Sequence, residues 1–130
     1  MEEKVKTPIN SSRCITIVGP SQSGKTSLME SILHVCKQIH NKGHVKDNNT
    51  LSDHLSEEHE LKISISMGIS KAQFMNEEYT FIDCPGSSEF INEFLQAIKI
   101  SDLCIIVIEP IKEKILSLVP YFYYLNKMNI

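Results

Sequence analysis

Apolar residues recur along this chain in two rhythms, every second and every third or fourth position, and their order predicts the architecture. Cys14-Ile15-Thr16-Ile17-Val18 is a short, β-branched run, and it predicts a buried strand over about Arg13–Val18. Ser27, Leu28, Met29, Ile32, Leu33 and Val35 follow at helical spacing. They predict a first helix from Lys25 to about His40, with Gly43 of Asn41-Lys42-Gly43 as its terminator. Lys62 to Ile69 alternates apolar and small polar residues, the mark of a half-exposed strand that Lys71 to Met75 extends. Asn76-Glu77-Glu78 predicts a hairpin turn and Tyr79 to Asp83 the returning strand. Phe90, Ile91, Phe94, Leu95 and Ile98 predict a second helix that starts near Ser87-Ser88-Glu89 and runs to about Ile100. Asp102 to Glu109 is almost continuously apolar, as in a parallel strand covered on both faces, and Pro110 ends it. Lys112 to about Met128 predicts a third helix, which Pro120 should kink or break in two.

Strands that alternate with helices predict an open α/β sheet, mostly parallel, with one antiparallel hairpin. Residues 1–12 are polar, carry Pro8 and predict a loose arm; residues 13–130 predict one domain. The exception to the rhythm is the polar stretch from His44 to about Glu60. Asp47-Asn48-Asn49-Thr50 reads as a turn, and Ser52 or Asp53 as the cap of a short helical turn. A loop of this length inside a compact domain is often functional.

Composition narrows the picture. A net charge of −3 excludes a globally basic nucleic-acid binder, and no nucleic-acid motif is present. No apolar run reaches membrane-spanning length, and Met1-Glu2-Glu3-Lys4 opens no signal core, so the expected setting is cytoplasmic. Cys14, Cys36, Cys84 and Cys104 form no C-x-x-C pair and read as reduced, apolar side chains. His40 and His44 are four apart, but Gly43 breaks the helix that would align them on a metal.

The chemistry lies at the ends of two strands. Gly19-Pro20-Ser21-Gln22-Ser23-Gly24-Lys25-Thr26 has two glycines, then Lys and Thr, between a strand and a helix. The glycines let successive N–H groups turn into one concavity, which with the helix N-terminus suits the phosphates of a nucleotide. Lys25 is placed for the β- and γ-phosphates and the Thr26 hydroxyl for Mg²⁺, with Ser27 following in the first turn. Asp83-Cys84-Pro85-Gly86 follows the later strand, with Asp83 suited to a Mg²⁺-bound water and the Gly86 N–H to a γ-phosphate. In open α/β sheets ligands sit beyond the C-terminal ends of the strands, and both motifs fall there.

Together with Ile39-His40, Gly43, Asp53-His54-Leu55 and Glu60-Leu61-Lys62-Ile63-Ser64-Ile65, these motifs resemble the start of the GTP-binding domain of elongation factor G, over about Arg13 to the C-terminus. The resemblance implies a three-layer P-loop NTPase fold, GTP or GDP with Mg²⁺, and the ribosome as partner. It makes the polar stretch a first switch and Asp83 to Phe90 a second. Ser64 falls where the family's switch threonine ligates Mg²⁺, so Thr26, Ser64 and Asp83 (through water) are the implied metal set. Departures are specific. Ser87 replaces the histidine that positions the attacking water, Gln22 an acidic residue, and Leu61-Lys62 an Arg-Gly pair. Weak or absent hydrolysis follows. Asn126-Lys127-Met128-Asn129 echoes the guanine-reading motif, but it lies on a predicted helix and ends in Asn. The guanine-reading strand would begin after Ile130, so the expected fold is incomplete at its C-terminal end, with Leu103 to Ile108 at an edge. A remnant that keeps the motif without nucleotide, and a P-loop ATPase or kinase, are the alternatives.

Overall fold

The computed structural model describes residues 12–40 and 67–130. In chain order the elements are β1 (Arg13–Val18), α1 (Lys25–Val35), β2 (Gly68–Phe74), β3 (Glu77–Asp83), a 3₁₀ turn (Ser88–Phe90), α2 (Ile91–Ile98), β4 (Leu103–Ile106), α3 (Lys112–Leu116) and α4 (Val119–Met128). The strands form one sheet in the order β2-β3-β1-β4. β1 runs parallel to β3 (Ile17 beside Asp83) and to β4 (Thr16 beside Cys104), while β2 and β3 form the antiparallel hairpin.

Side-chain alternation along the strands divides the core into two layers. Ile17 and Phe81 face α1 and pack with Met29 and Leu33. Val18 and Ile82 face the other way, onto Phe94 and Ile98 of α2 and Tyr121 and Leu125 of α4. β4 contributes to both, Cys104 and Ile106 to one cluster and Ile105 and Val107 to the other, which fits a strand with helices on both faces. Phe94 is fully buried and meets Tyr121 edge-on at 4.7 Å between ring centroids. Truncating such a side chain to Ala costs about 3–5 kcal/mol. The result is a three-layer sandwich, helix on sheet on helices.

Polar groups fix where β4 begins. The Cys14 N–H donates to Asp102 Oδ2 at 2.8 Å, and the Asp102 N–H donates back to the Cys14 carbonyl at 2.8 Å. Fully buried Thr16 is satisfied by the Ser101 hydroxyl.

Several boundaries differ from the sequence expectation. α1 stops at Val35, because Cys36 caps it and Lys37 takes a left-handed φ of 58°. Gly43, the expected terminator, lies outside the described residues, as do 62–66 of the expected Lys62–Ile69 strand. The hairpin turn falls on Met75 and Asn76, with φ of 51° and 65°, so Glu77 and Glu78 belong to β3 rather than to the turn. Paired positive φ values match the twist of two-residue hairpins. The second helix opens with a 3₁₀ turn and ends at Ile98 rather than about Ile100. β4 covers only Leu103–Ile106 of the expected 102–109. The third helix does break in two, with Pro120 in the first turn of α4.

Candidate functional site

β1 delivers the glycine loop to the C-terminal edge of the sheet. Gly19 passes so close to β4's continuation that a Cβ there would collide with the Val107 carbonyl oxygen. Ser23 Oγ fills the space beside it, buried and without a hydrogen-bond partner among the described residues. Gln22 is left-handed at φ 59°, and Gly24 at φ 96° forms the N-cap of α1. That cap makes no side-chain hydrogen bond, and the first turn of α1 carries no acidic residue. The positive end of α1 therefore meets no anion of its own side chains.

Lys25 and Thr26, the first two residues of α1, are both buried, at 5% and 7% exposure. Lys25 Nζ folds back over the loop and donates to the Pro20 carbonyl at 2.8 Å. Thr26 Oγ1 donates to Asp83 Oδ2 at 2.7 Å, joining α1 to the end of β3. Asp83 is 1% exposed and Cys84 continues the ladder, its N–H reaching the Ile17 carbonyl at 3.0 Å. Burial, then the charge of Asp83, pushes the Cys84 thiol up to about 12, which keeps it protonated and unreactive.

The second loop lies directly on the first. A methyl group on Gly86 would stand 2.5 Å from Lys25 Nζ, 2.5 Å from the Ser21 nitrogen and 2.6 Å from the Pro20 carbonyl carbon. Only glycine permits that approach. Pro85 is buried behind it, and Ser87 is half-buried as the cap of the 3₁₀ turn, its carbonyl accepting from the Phe90 N–H at 3.0 Å. Ser27 sits one residue past Thr26, and its carbonyl accepts from Ser31 Oγ at 2.7 Å.

The structure thus gathers Pro20, Ser21, Lys25, Thr26, Asp83 and Gly86 at one point. Ser64, the third expected metal ligand, lies outside the described residues, as does the polar stretch from His44 to Glu60. Asn126 to Asn129 lie at the end of α4, where Asn129 terminates the helix at φ 56°. Sequence reasoning missed Glu30, which is 1% exposed and one helical turn beyond Thr26. Its signal was a carboxylate inside an apolar helical face, four residues after the motif's threonine. The donor set fits Mg²⁺: a hydroxyl and a carboxylate oxygen, both hard ligands, beside the Lys25 ammonium. A hollow of about 400 Å³ lined by Ile15, Ile32, Phe74 and Phe81 lies beside the far half of α1, and its apolar wall suits no phosphate. No helix of the described residues is long and apolar enough to cross a membrane.

Comparison with known proteins identifies a family. Residues 10–128 match the sequence profile of the elongation factor Tu GTP binding domain. An elongation factor G-like protein of Synechocystis is 37% identical over 123 residues, which is 94% of this chain and 18% of that protein. This chain therefore spans about a fifth of that relative's length. A Thermus thermophilus protein of known crystal structure superposes with a TM-score of 0.71 at 25% identity, over 75% of this chain and 15% of its own. A bacterial selenocysteine-specific elongation factor gives 0.60 at 23% identity, over 84% of this chain and 17% of its own, a likeness of fold. With a family profile covering nearly all of its length and a three-layer sheet that carries both loops at one edge, this chain belongs to the family of the elongation factor Tu GTP binding domain, among the translational GTPases.

Proposed function

We propose that this chain binds a guanine nucleotide, GTP or GDP, together with Mg²⁺, through the loop Gly19–Thr26 and the segment Asp83–Gly86. The observation that carries the reading is the buried Thr26–Asp83 hydrogen bond at 2.7 Å, with Lys25 folded over the same loop. The backbone of residues 19–24, the N-terminus of α1 and Lys25 hold the phosphates, with Ser27 completing the first turn. Thr26 holds the metal directly and Asp83 through water, while Ser64 falls at the family's third ligand position. When bound, Mg²⁺ neutralises the charge of adjoining phosphate oxygens. Cys84, Pro85 and Gly86 line the site beside Lys25, and the Gly86 N–H is the group that would sense the terminal phosphate.

Hydrolysis is slow or absent in this reading. Positioning water is much of the catalysis in this class, and Ser87 stands where the family has a histidine. The ribosome is the partner that family membership implies, and the cytoplasm its setting. The test is titration of the chain with fluorescent GTP, GDP and ATP analogues, with and without Mg²⁺. Mg²⁺-dependent binding of the guanine analogues supports the reading, and no binding of any analogue overturns it. Single-turnover assays should then find little phosphate released.

A further inference from the structure

We infer that the contact between Gly86 and the phosphate loop is autoinhibitory. It fills the place of a third phosphate, so that the chain takes a nucleoside diphosphate as it stands and a triphosphate only after residues 86–90 swing out. The inference rests on the nucleotide site proposed above and adds which phosphate chain that site admits.

Gly86 stands between two donors that phosphate oxygens would use. Its Cβ position is 2.5 Å from Lys25 Nζ and 2.5 Å from the Ser21 nitrogen. A phosphate oxygen accepting from an ammonium or a backbone N–H stands about 2.8 Å away. An oxygen set between these two donors at that point would be one covalent bond from Gly86 Cα, far inside van der Waals contact. The Pro20 carbonyl carbon, 2.6 Å from the same point, closes another side. Lys25 Nζ meanwhile donates to the Pro20 carbonyl at 2.8 Å, a bond within the loop itself. The loop is crowded at this end and open at the other. A Cβ at Gly24 would have no neighbour within 4 Å among the described residues, and Gly24 caps α1 without a side-chain hydrogen bond. The inner phosphates of a nucleotide rest on that open end, on the loop amides and the start of the helix.

The packing also decides which side gives way. The phosphate loop has no room to retreat, because Gly19 already lies against the Val107 carbonyl and α1 begins at Lys25. The residues before Gly86 are equally fixed. Cys84 is fully buried with its N–H on the Ile17 carbonyl at 3.0 Å, and Pro85 is buried with its φ held by the ring. Past Gly86 the ties are few. The 3₁₀ turn Ser88–Phe90 buries none of its residues, and firm packing resumes at fully buried Phe94. Glycine supplies the backbone freedom of a pivot. The moving piece is therefore Gly86 to Phe90. A ligand that needs the swung-out form has its affinity reduced by the fraction of chains in that form.

The test is titration of the whole 130-residue chain with GDP and with a non-hydrolysable GTP analogue, both with Mg²⁺, followed by amide NMR shifts. GDP should bind about tenfold or more tighter than the analogue. GDP should move the amides of the phosphate loop and leave those of Ser88 to Phe90 near their free positions, while the analogue moves both sets. Gly86→Ala breaks the contact, so both ligands weaken as Lys25 is displaced, but the gap between them should narrow. Equal affinities in the wild type, or equal movement of Ser88 to Phe90 with both ligands, overturn the inference and leave the nucleotide site standing. An unchanged gap in a folded Gly86→Ala chain overturns it too. If that variant does not fold, the wild-type affinities and shifts decide alone. Binding of neither nucleotide overturns the site and the inference together.

Discussion

Thr26 and Asp83 stand 57 residues apart in sequence, and the hydroxyl of one donates to the carboxylate of the other at 2.7 Å in a buried setting. That contact joins the first turn of α1 to the end of β3 and makes two motifs one site. Asp83→Asn keeps the side-chain shape and removes the charge. Nucleotide affinity in the presence of Mg²⁺ should fall about tenfold or more, while affinity in its absence changes little. An equal loss under both conditions would mean that Asp83 supports the fold and not the metal.

Lys25→Ala should abolish nucleotide binding and leave a folded chain. The ammonium lies over the loop, held by the Pro20 carbonyl at 2.8 Å, and charge-assisted bonds to phosphate are among the strongest polar contacts. Unchanged affinity in the variant, measured by fluorescence titration, would sink the phosphate-loop reading.

Gly86→Ala tests the packing of one loop on the other. The new methyl group would meet the Pro20–Ser21 peptide and Lys25 Nζ at 2.5–2.6 Å. Overpacking of this kind costs about 1–3 kcal/mol, and here it also displaces the lysine. A lower melting temperature and weaker nucleotide binding are expected together. A variant that matches the wild type in both would show that the two loops do not hold this contact in solution.

Cys104 links stability to alkaline pH. Burial pushes its thiol up to about 11 from an ordinary 9.0. Below pH 9 both folded and unfolded chains keep the proton, and the contribution is complete. From 9 to about 11 the unfolded chain releases a proton that the folded chain retains, so stability falls as pH rises. Urea melts at about pH 8 and about pH 10 should show a smaller loss for Cys104→Val than for wild type. Equal losses would place that thiol in free contact with water.

Much of this fold is legible in local sequence. The β-branched run before Gly19 predicts β1, and Pro120 predicts the break between α3 and α4 because a proline inside a helix removes a hydrogen bond. The two loops are legible because tight turns demand glycine. The end of α1 is not, since Lys37 adopts a left-handed backbone that sequence assigns to glycine. The hairpin turn falls one residue earlier than the sequence places it, because Met75, no turn former by type, takes its first position. Gly86 on Pro20 is a product of tertiary packing with no local signature, whereas Glu30 left one, a carboxylate inside the apolar face of α1.

β1 lies between β3 and β4 and is parallel to both, while the Cys14–Asp102 bonds that begin its pairing with β4 span 88 residues. The β2–β3 hairpin, by contrast, closes over a two-residue turn. Loop-closure entropy penalises the long-range pairings and spares the hairpin, so β1 is expected to enter the sheet late in folding. Ile17→Val should then chiefly speed unfolding, and a variant that instead slowed refolding would place β1 in the nucleus. The loop at Gly19 hangs from the end of that strand. Its concavity therefore takes shape in the final act of assembly, and no half-folded form of the chain has a phosphate site to offer.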